Sequence, residues 1–122
     1  MGPFNAGWTE EDVDAVLARG NPDELLYVPI VVGLNASNAD RKWAEDVCLA
    51  LSAHQHFQVR ANAILGLGHI VRNCGEISSD RVFPTIERAF LDMHTAVRAH
   101  AQAAAGEVHI HLGIFLRGYD AT

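Results

Sequence analysis

The sequence predicts an all-helical protein built from stacked helix hairpins. Three observations support this prediction: capping residues stand ahead of apolar segments, apolar residues recur at helical spacing, and one segment occurs twice in the second half of the chain. Caps and a 3.6-residue period are the sequence signature of helices, and internal repetition at a fixed interval is typical of stacked helical units. A chain of 122 residues has the length of one domain. We therefore expect a single helical domain of about six helices over residues 1–122.

The N-terminal third of the chain contains two helix starts. Thr9 precedes three acidic residues, as an N-cap precedes an acidic first turn, and Gly20 marks a stop, so we expect a helix over residues 10–19. Asn21, followed by a proline, indicates a second start. The next segment, LLYVPIVVGL, contains Pro29 and is rich in β-branched residues. We expect a kinked helix there, and a short buried strand is the alternative that the sequence leaves open.

Amphipathic segments occupy the rest of the chain. Trp43, Val47 and Leu51 recur at helical spacing, and charged residues occupy the other side of the same segment. Those charged residues are Arg41, Lys42, Glu45 and Asp46. Gly75 and two serines separate the later segments. We expect the remaining helices at residues 40–53, 57–73, 79–91 and 95–116.

An internal repeat is the most informative feature of the sequence. When the chain is aligned with itself, the segment VRANA (59–63) matches VRAHA (97–101), and Gly68 matches Gly106 at the same offset without a gap. An amphipathic segment precedes each copy, so each unit is predicted to be a helix hairpin. A single hairpin cannot cover its own apolar face, and such units therefore stack and share one core.

These two units resemble HEAT repeats. The resemblance rests on VFPTIERAFLD (82–92) followed by AVRAHA, and on LSAH (51–54) followed by QVRANA, and it extends over about residues 40–112. It implies a fragment of a right-handed α-solenoid, with the first hairpin at residues 38–74 and the second at 78–116. Residues 1–37 lack the V-R-x-x-A pattern, so they are interpreted as a divergent N-terminal hairpin or a cap.

The resemblance also implies structural roles for particular residues. Val59 and Val97 are expected to fill the hairpin cores, and Arg60 and Arg98 to bridge neighbouring repeats. One departure is His54, which stands where an aspartate is usual before the second helix of a repeat.

Charge and cysteine content exclude several classes of function. The formal net charge of -6 disfavours a partner bound through phosphates, such as nucleic acid. Residues 1–61 hold nine acids and four bases, which suits a basic protein partner. Cys48 and Cys74 stand outside any C-x-x-C motif, and no apolar segment is long enough to span a membrane, so we expect a cytoplasmic protein.

No motif in the chain predicts catalysis, and we expect neither a metal nor a cofactor. The sequence GLGH (66–69) superficially resembles a phosphate loop, but its glycines lie inside a helical pattern and are interpreted as packing residues. His109 and His111 are two residues apart on a predicted helix, so they point about 200° apart and cannot share one ion. Cys48 is expected to fill core and Cys74 a helix end.

Helical phase identifies a candidate binding surface. When Val59 is placed at zero and each residue advances by about 100°, one arc contains the predicted core of the helix: Val59, Ala63, Ile64, Leu67, Ile70 and Val71. Polar residues and one leucine gather on the opposite side, and the second repeat carries an equivalent stripe. The candidate partner-binding residues from these two stripes are Asn62, Leu65, His69, His100 and Glu107.

These observations favour a non-enzymatic protein-binding module. Because the chain is small and acidic, a bacterial immunity protein or another inhibitor that neutralises a basic toxin domain by direct binding is the first interpretation. The alternative is a HEAT-like accessory subunit of an enzyme or of a chromophore-modifying complex, which is an analogy from fold. Neither interpretation predicts contact with nucleic acid or a membrane.

Overall fold

The computed structural model of the chain describes residues 2–4 and 7–121, which form helices, turns and loops without any strand. The predicted all-helical fold class is therefore confirmed for the described residues. A 3-10 turn at Gly2–Phe4 precedes the α-helices. These are α1 (Glu10–Arg19), α2 (Pro22–Leu25), α3 (Val28–Leu34), α4 (Arg41–Leu51), α5 (Phe57–Cys74), α6 (Ser79–Ala89) and α7 (Thr95–Leu112).

The first helix has the predicted bounds and caps. The Thr9 hydroxyl accepts a hydrogen bond of 3.1 Å from the backbone N–H of Asp12. Gly20 ends the helix in the left-handed conformation, with φ of 67°, which costs glycine no steric strain. Residues next to the helix in the sequence are sufficient to predict its bounds here, because both of its ends are exposed.

The second predicted helix is broken rather than kinked, since α2 ends at Leu25 and α3 begins at Val28. Pro29 explains the position of the break, because its ring would clash with the carbonyl group of residue 25 in a continuous helix. The amide of Asn62 donates a hydrogen bond of 2.9 Å to the Leu26 carbonyl at the break. The strand alternative for residues 25–34 is wrong.

The last helix is shorter than predicted and ends at Leu112 rather than at residue 116. Gly113 adopts a φ of 70° and its N–H bonds to the His109 carbonyl, which completes a helix C-cap. The apolar residues that follow it suggested a longer helix, and one of them, Leu116, is buried in the loop instead. A smaller overestimate occurs at α6, which ends at Ala89 rather than at residue 91.

The offset of the sequence repeat reappears in the helix bounds. The shift that carries Val59 onto Val97 also carries both ends of α4 onto those of α6, and both ends of α5 onto those of α7. The equivalent residues His54 and Asp92 make the same bond. His54 Nδ1 accepts the N–H of His56 at 3.0 Å, and Asp92 Oδ1 accepts the N–H of His94 at 2.9 Å. In the first unit an imidazole nitrogen therefore takes the place of the carboxylate oxygen as the acceptor of this bond.

Helix α5 is central, because it packs against α3, α4 and α7. All six residues of the predicted core arc are buried, so the helical phase assigned to α5 is confirmed. The two glycines of α5 allow its neighbours to approach closely. A Cβ atom on Gly66 would lie 2.7 Å from the Pro29 carbonyl oxygen, and one on Gly68 would lie 2.9 Å from the Ala104 Cα. The interpretation of both as packing residues is thus confirmed.

The prediction that Glu45 lies on a solvated face of α4 is wrong. Its side chain is fully buried, accepts a hydrogen bond of 2.6 Å from Arg41 and another of 3.1 Å from the backbone N–H of Ser78. Glu45 therefore ties α4 to the start of α6. Its neighbour Asp46 is exposed and bonds to Arg81 of α6.

Arg60 and Arg98 differ despite their equivalent positions. Arg60 binds both carboxylate oxygens of Asp92, at 2.9 and 3.1 Å, and so bridges the α4–α5 unit to the α6–α7 unit as predicted. Among the residues that the structure describes, the Arg98 side chain bonds only to the Asp92 carbonyl oxygen and the Thr95 hydroxyl, both within its own unit. Its predicted bridge is wrong, because no helix hairpin follows α7 in residues 113–121.

Among the helices of the described residues, none combines the length and hydropathy that a membrane span needs.

We expect Gly68→Ala to lower the free energy of unfolding by about 1–3 kcal/mol, because the new methyl group would overlap the backbone of α7. Gly106→Ala is the matched control, since the nearest atom to its added Cβ would be the Tyr119 hydroxyl oxygen at 3.6 Å. That variant should gain up to about 1 kcal/mol from helix propensity. Urea unfolding measures both changes, and equal effects of the two substitutions would contradict a close α5–α7 approach.

We expect Arg60→Ala to cost about 2 kcal/mol of stability, because it removes a bidentate ion pair and leaves the half-buried Asp92 carboxylate without its cation. Arg98→Ala loses only bonds to neutral acceptors at an exposed site and should cost less than about 1 kcal/mol. Thermal unfolding of the two variants is the measurement. A larger loss for Arg98→Ala would reverse the assignment of the bridge to Arg60.

Candidate functional site

A cleft between α5 and α7 is the candidate functional site. Four of the residues that line it belong to α5 and three to α7: Leu65, Gly68, His69, Arg72, Ala103, Ala104 and Glu107. The two helices can approach closely because Gly68 faces Ala104. Small residues thus form the floor of the cleft, while the longer side chains stand at its rim.

The size of the cleft limits what it can hold. Its volume is about 160 Å³, whereas pockets for drug-sized ligands measure about 300–1,000 Å³. One protruding side chain of a partner matches the cleft better than a complete cofactor or substrate does. Leu65, which is half-buried, supplies an apolar wall against which such a side chain could pack.

The polar groups of the cleft are centred on Glu107. Its Oε2 atom lies 3.7 Å from Nε of Arg72 and 3.9 Å from Nε2 of His111. This oxygen is buried and makes no hydrogen bond within the described part of the chain, so its contact with Arg72 is a charge interaction alone.

His69 connects the apolar and polar parts of the cleft. Its Nδ1 atom lies 3.1 Å from Nη2 of Arg72, and because a guanidinium can only donate, this nitrogen must accept. Burial, followed by the positive charge of Arg72, holds the pKa of His69 below its ordinary value; nearby Glu107 opposes the shift and His100 adds to it. Burial likewise lowers the pKa of His100. Both imidazoles are therefore neutral at pH 7.

The structure brings together three of the five predicted site residues. Leu65, His69 and Glu107 line the cleft, and His100 lies close enough to influence the pKa of His69. Asn62 lies outside the cleft, because its amide bonds to the Leu26 carbonyl and to Gln58. Arg72 lines the cleft but was absent from the predicted set, although it stands three residues after His69 on the same helix face.

Neither thiol of the chain is set up as a nucleophile. Complete burial raises the pKa of Cys48 to about 12, and burial also raises the pKa of Cys74, the last residue of α5. A reactive cysteine requires the opposite shift. In residues 2–4 and 7–121, no three His, Cys, Asp or Glu side chains are grouped so that they could hold a metal ion.

We expect the stability of the protein to fall as the pH drops from about 7.5 to 5.5. The lowered pKa values of His69 and His100 mean that the unfolded chain binds more protons in this range, so acid favours unfolding. The stability that these two histidines contribute is fully present above about pH 6.5 and is lost as the pH falls below that value. Urea unfolding at the two pH values should show a smaller decrease for a His69→Gln/His100→Gln variant. An identical decrease would exclude these two histidines as its source.

Comparisons of this chain with protein-family models, with curated proteins and with solved structures found no match in any of the three. Any function assigned to the chain therefore depends on its own residues.

Proposed function

We propose that the chain is a non-enzymatic protein-binding module, similar in construction to a short stack of HEAT repeats, whose partner contacts the α5–α7 cleft. The observation that carries this proposal is the meeting of Leu65, His69 and Glu107 in one cleft. The first two come from one repeat unit and the third from the next. Such a surface exists only when the two units stack.

The helix arrangement supports a stack of hairpins. Helix α5 contacts α3 on one side and α7 on the other, while α4 and α6 pack beside their own partners. The equal helix lengths in the two units support a repeated hairpin. Repeats of this kind use an extended face made by successive second helices to bind other proteins.

The chemistry of the cleft supports a protein partner. Protein interfaces commonly place an apolar contact at the centre and polar groups at the rim. Leu65 would provide that centre, and Arg72, His69 and Glu107 would surround it. The cleft is too small to enclose a drug-sized molecule.

The overall charge supports a basic partner. The net charge is -6, and the exposed acids Glu10, Glu11 and Asp14 of α1 have no basic partner among the described residues. A long-range field of this sign accelerates association with a basic surface. Within this class we propose an inhibitor that neutralises a basic toxin domain, as an immunity protein does. The free cysteines are compatible with a reducing cytoplasm.

We expect Leu65→Arg to leave the fold intact and to weaken partner binding by about 2 kcal/mol or more, because it replaces the apolar wall of the cleft with a charge. Ala50→Arg is the matched control, since it adds the same side chain at an exposed position of α4. Circular dichroism checks the fold and titration calorimetry measures binding. If Leu65→Arg folds and binds as tightly as the parent, the partner contacts another surface.

The partner for this measurement can be identified by affinity capture from the source cell with the parent protein and the Leu65→Arg variant as parallel baits. We expect a basic protein that the parent captures and the variant does not. An enzyme subunit captured in its place would favour the accessory-subunit alternative. Binding that weakens steeply with salt and is unaffected by Leu65→Arg would assign the contact to the acidic α1 surface.

A further inference from the structure

The end of the helix stack carries a second surface that the proposed function does not use. We define the end surface as Arg88, Phe90, Leu91, Arg98 and Arg117. Residues 113–121 fold back over α7, and Tyr119 lies against Gly106 at the position where Ala104 lies against Gly68 one repeat earlier. This tail covers only part of α7. A depression of about 510 Å³ opens over the first half of α7, and an adjoining one of about 360 Å³ is lined by α6, including Glu87, by the α6–α7 loop and by the tail.

The two depressions share an apolar centre. Phe90, Leu91 and Gly118 line both of them, and Leu91 is 86% exposed. A leucine exposed to this degree between two concave regions is available for contact with another molecule. Leu91 does not contribute to the core of the protein, so its exposure is not explained by folding.

Arginines without carboxylate partners surround this centre. Five of the nine basic residues of the chain are in ion pairs with acids: Arg19, Arg41, Arg60, Arg72 and Arg81. The other four have no carboxylate partner among the described residues, and three of these, Arg88, Arg98 and Arg117, belong to the end surface. Most of the positive charge that lacks a carboxylate partner in the described part of the chain therefore lies at one surface.

Acidic residues near the end surface bind other groups instead of the guanidinium groups of these three arginines. Glu87 accepts the backbone N–H of Arg117, and the Asp92 carboxylate is bound by Arg60. Neither of these acids forms an ion pair with Arg88, Arg98 or Arg117 among the described contacts.

The internal repeat indicates what Arg98 would bind. Arg60, its equivalent in the first repeat unit, donates to the carbonyl of residue 54 in its own loop and to the carboxylate of Asp92 in the next unit. Arg98 makes the first of these contacts with the Asp92 carbonyl, at 2.7 Å, and lacks the second. The other N–H groups of the Arg98 guanidinium therefore occupy the position at which those of Arg60 bind a carboxylate that joins the two repeat units.

We propose that the end surface binds an acidic segment of a partner protein, which places a carboxylate at Arg98 and an apolar side chain against Leu91. Arg88 and Arg117 interact with further acids of the same segment. Opposite charge across the contact favours the encounter and sets the orientation, while the apolar contact supplies binding energy. This surface is distinct from the α5–α7 cleft, so each can be tested without the other.

The test uses the full chain and a fluorescent peptide composed of Glu, Leu and Phe, compared with a peptide in which Lys replaces every Glu. Fluorescence anisotropy at low salt should show binding of the acidic peptide, and at least about tenfold weaker binding of the basic one. Arg88→Glu and Arg98→Gln should each weaken binding of the acidic peptide by about tenfold, and Leu91→Ser should weaken it as well. A peptide of Glu alone should bind more weakly because it lacks the apolar contact.

Lys42→Glu is the matched control for Arg88→Glu, because it changes the net charge equally at the fourth basic residue that has no carboxylate partner among the described residues. Unchanged binding by Lys42→Glu supports the proposal. If the two variants weaken peptide binding equally, the effect comes from the net charge alone and the proposal is overturned. Loss of peptide binding in Leu65→Arg would instead assign the peptide to the cleft.

Two further outcomes also overturn the proposal. In the first, neither the parent nor the variants bind the acidic peptide at millimolar concentration, although circular dichroism shows that all of them are folded. The second is concentration-dependent self-association of the parent, abolished by Arg88→Glu and measured by analytical ultracentrifugation. That result would assign the end surface to the acidic α1 of a second copy rather than to another protein.

Discussion

The close approach of α5 to α3 and α7 is the constraint on which the rest of the structure depends. Gly66 and Gly68 are two residues apart, so they face nearly opposite sides of the helix. Gly66 meets the backbone of α3 at Pro29, and Gly68 meets the backbone of α7 at Ala104. A side chain at either position would separate the helices on that side. The floor of the α5–α7 cleft, and therefore its depth, is set by this spacing.

Polar side chains of α5 stabilise the same arrangement by bonding to groups that the neighbouring elements leave unsatisfied. Asn62 binds a carbonyl at the break before α3, and Asn73 binds the Gly33 and Leu34 carbonyls at the end of α3. Arg60 binds Asp92 in the next unit. Buried or half-buried backbone carbonyls without partners cost free energy, so these bonds stabilise the stack. They also explain why a polar residue on α5 is not necessarily available to a partner.

The two candidate surfaces differ in chemistry, and this difference separates the partners that each can bind. The α5–α7 cleft combines one apolar wall with Arg72 and Glu107, whose charges balance. The end surface has an exposed leucine with three arginines that have no carboxylate partner within residues 2–4 and 7–121. The proposed partner of the cleft and the proposed acidic segment at the end surface are therefore different proteins or different parts of one protein, because the two surfaces differ in charge.

The sequence by itself determined the elements that depend on local signals. Caps such as Thr9, the helical period of α5 and the internal repeat predicted the helices, most of their ends and the core arc, because each cap and each helical period involves residues within a few turns of one another. It also named Leu65, His69 and Glu107 as candidate site residues, and the structure adds Arg72 beside them in the cleft. Only the tertiary structure decided the burial of Glu45, the bond of Asn62 to Leu26 and the different partners of Arg60 and Arg98. Those outcomes depend on groups in other helices, far away along the chain, or on whether a further hairpin is present, and neither condition leaves a periodic signal in the sequence.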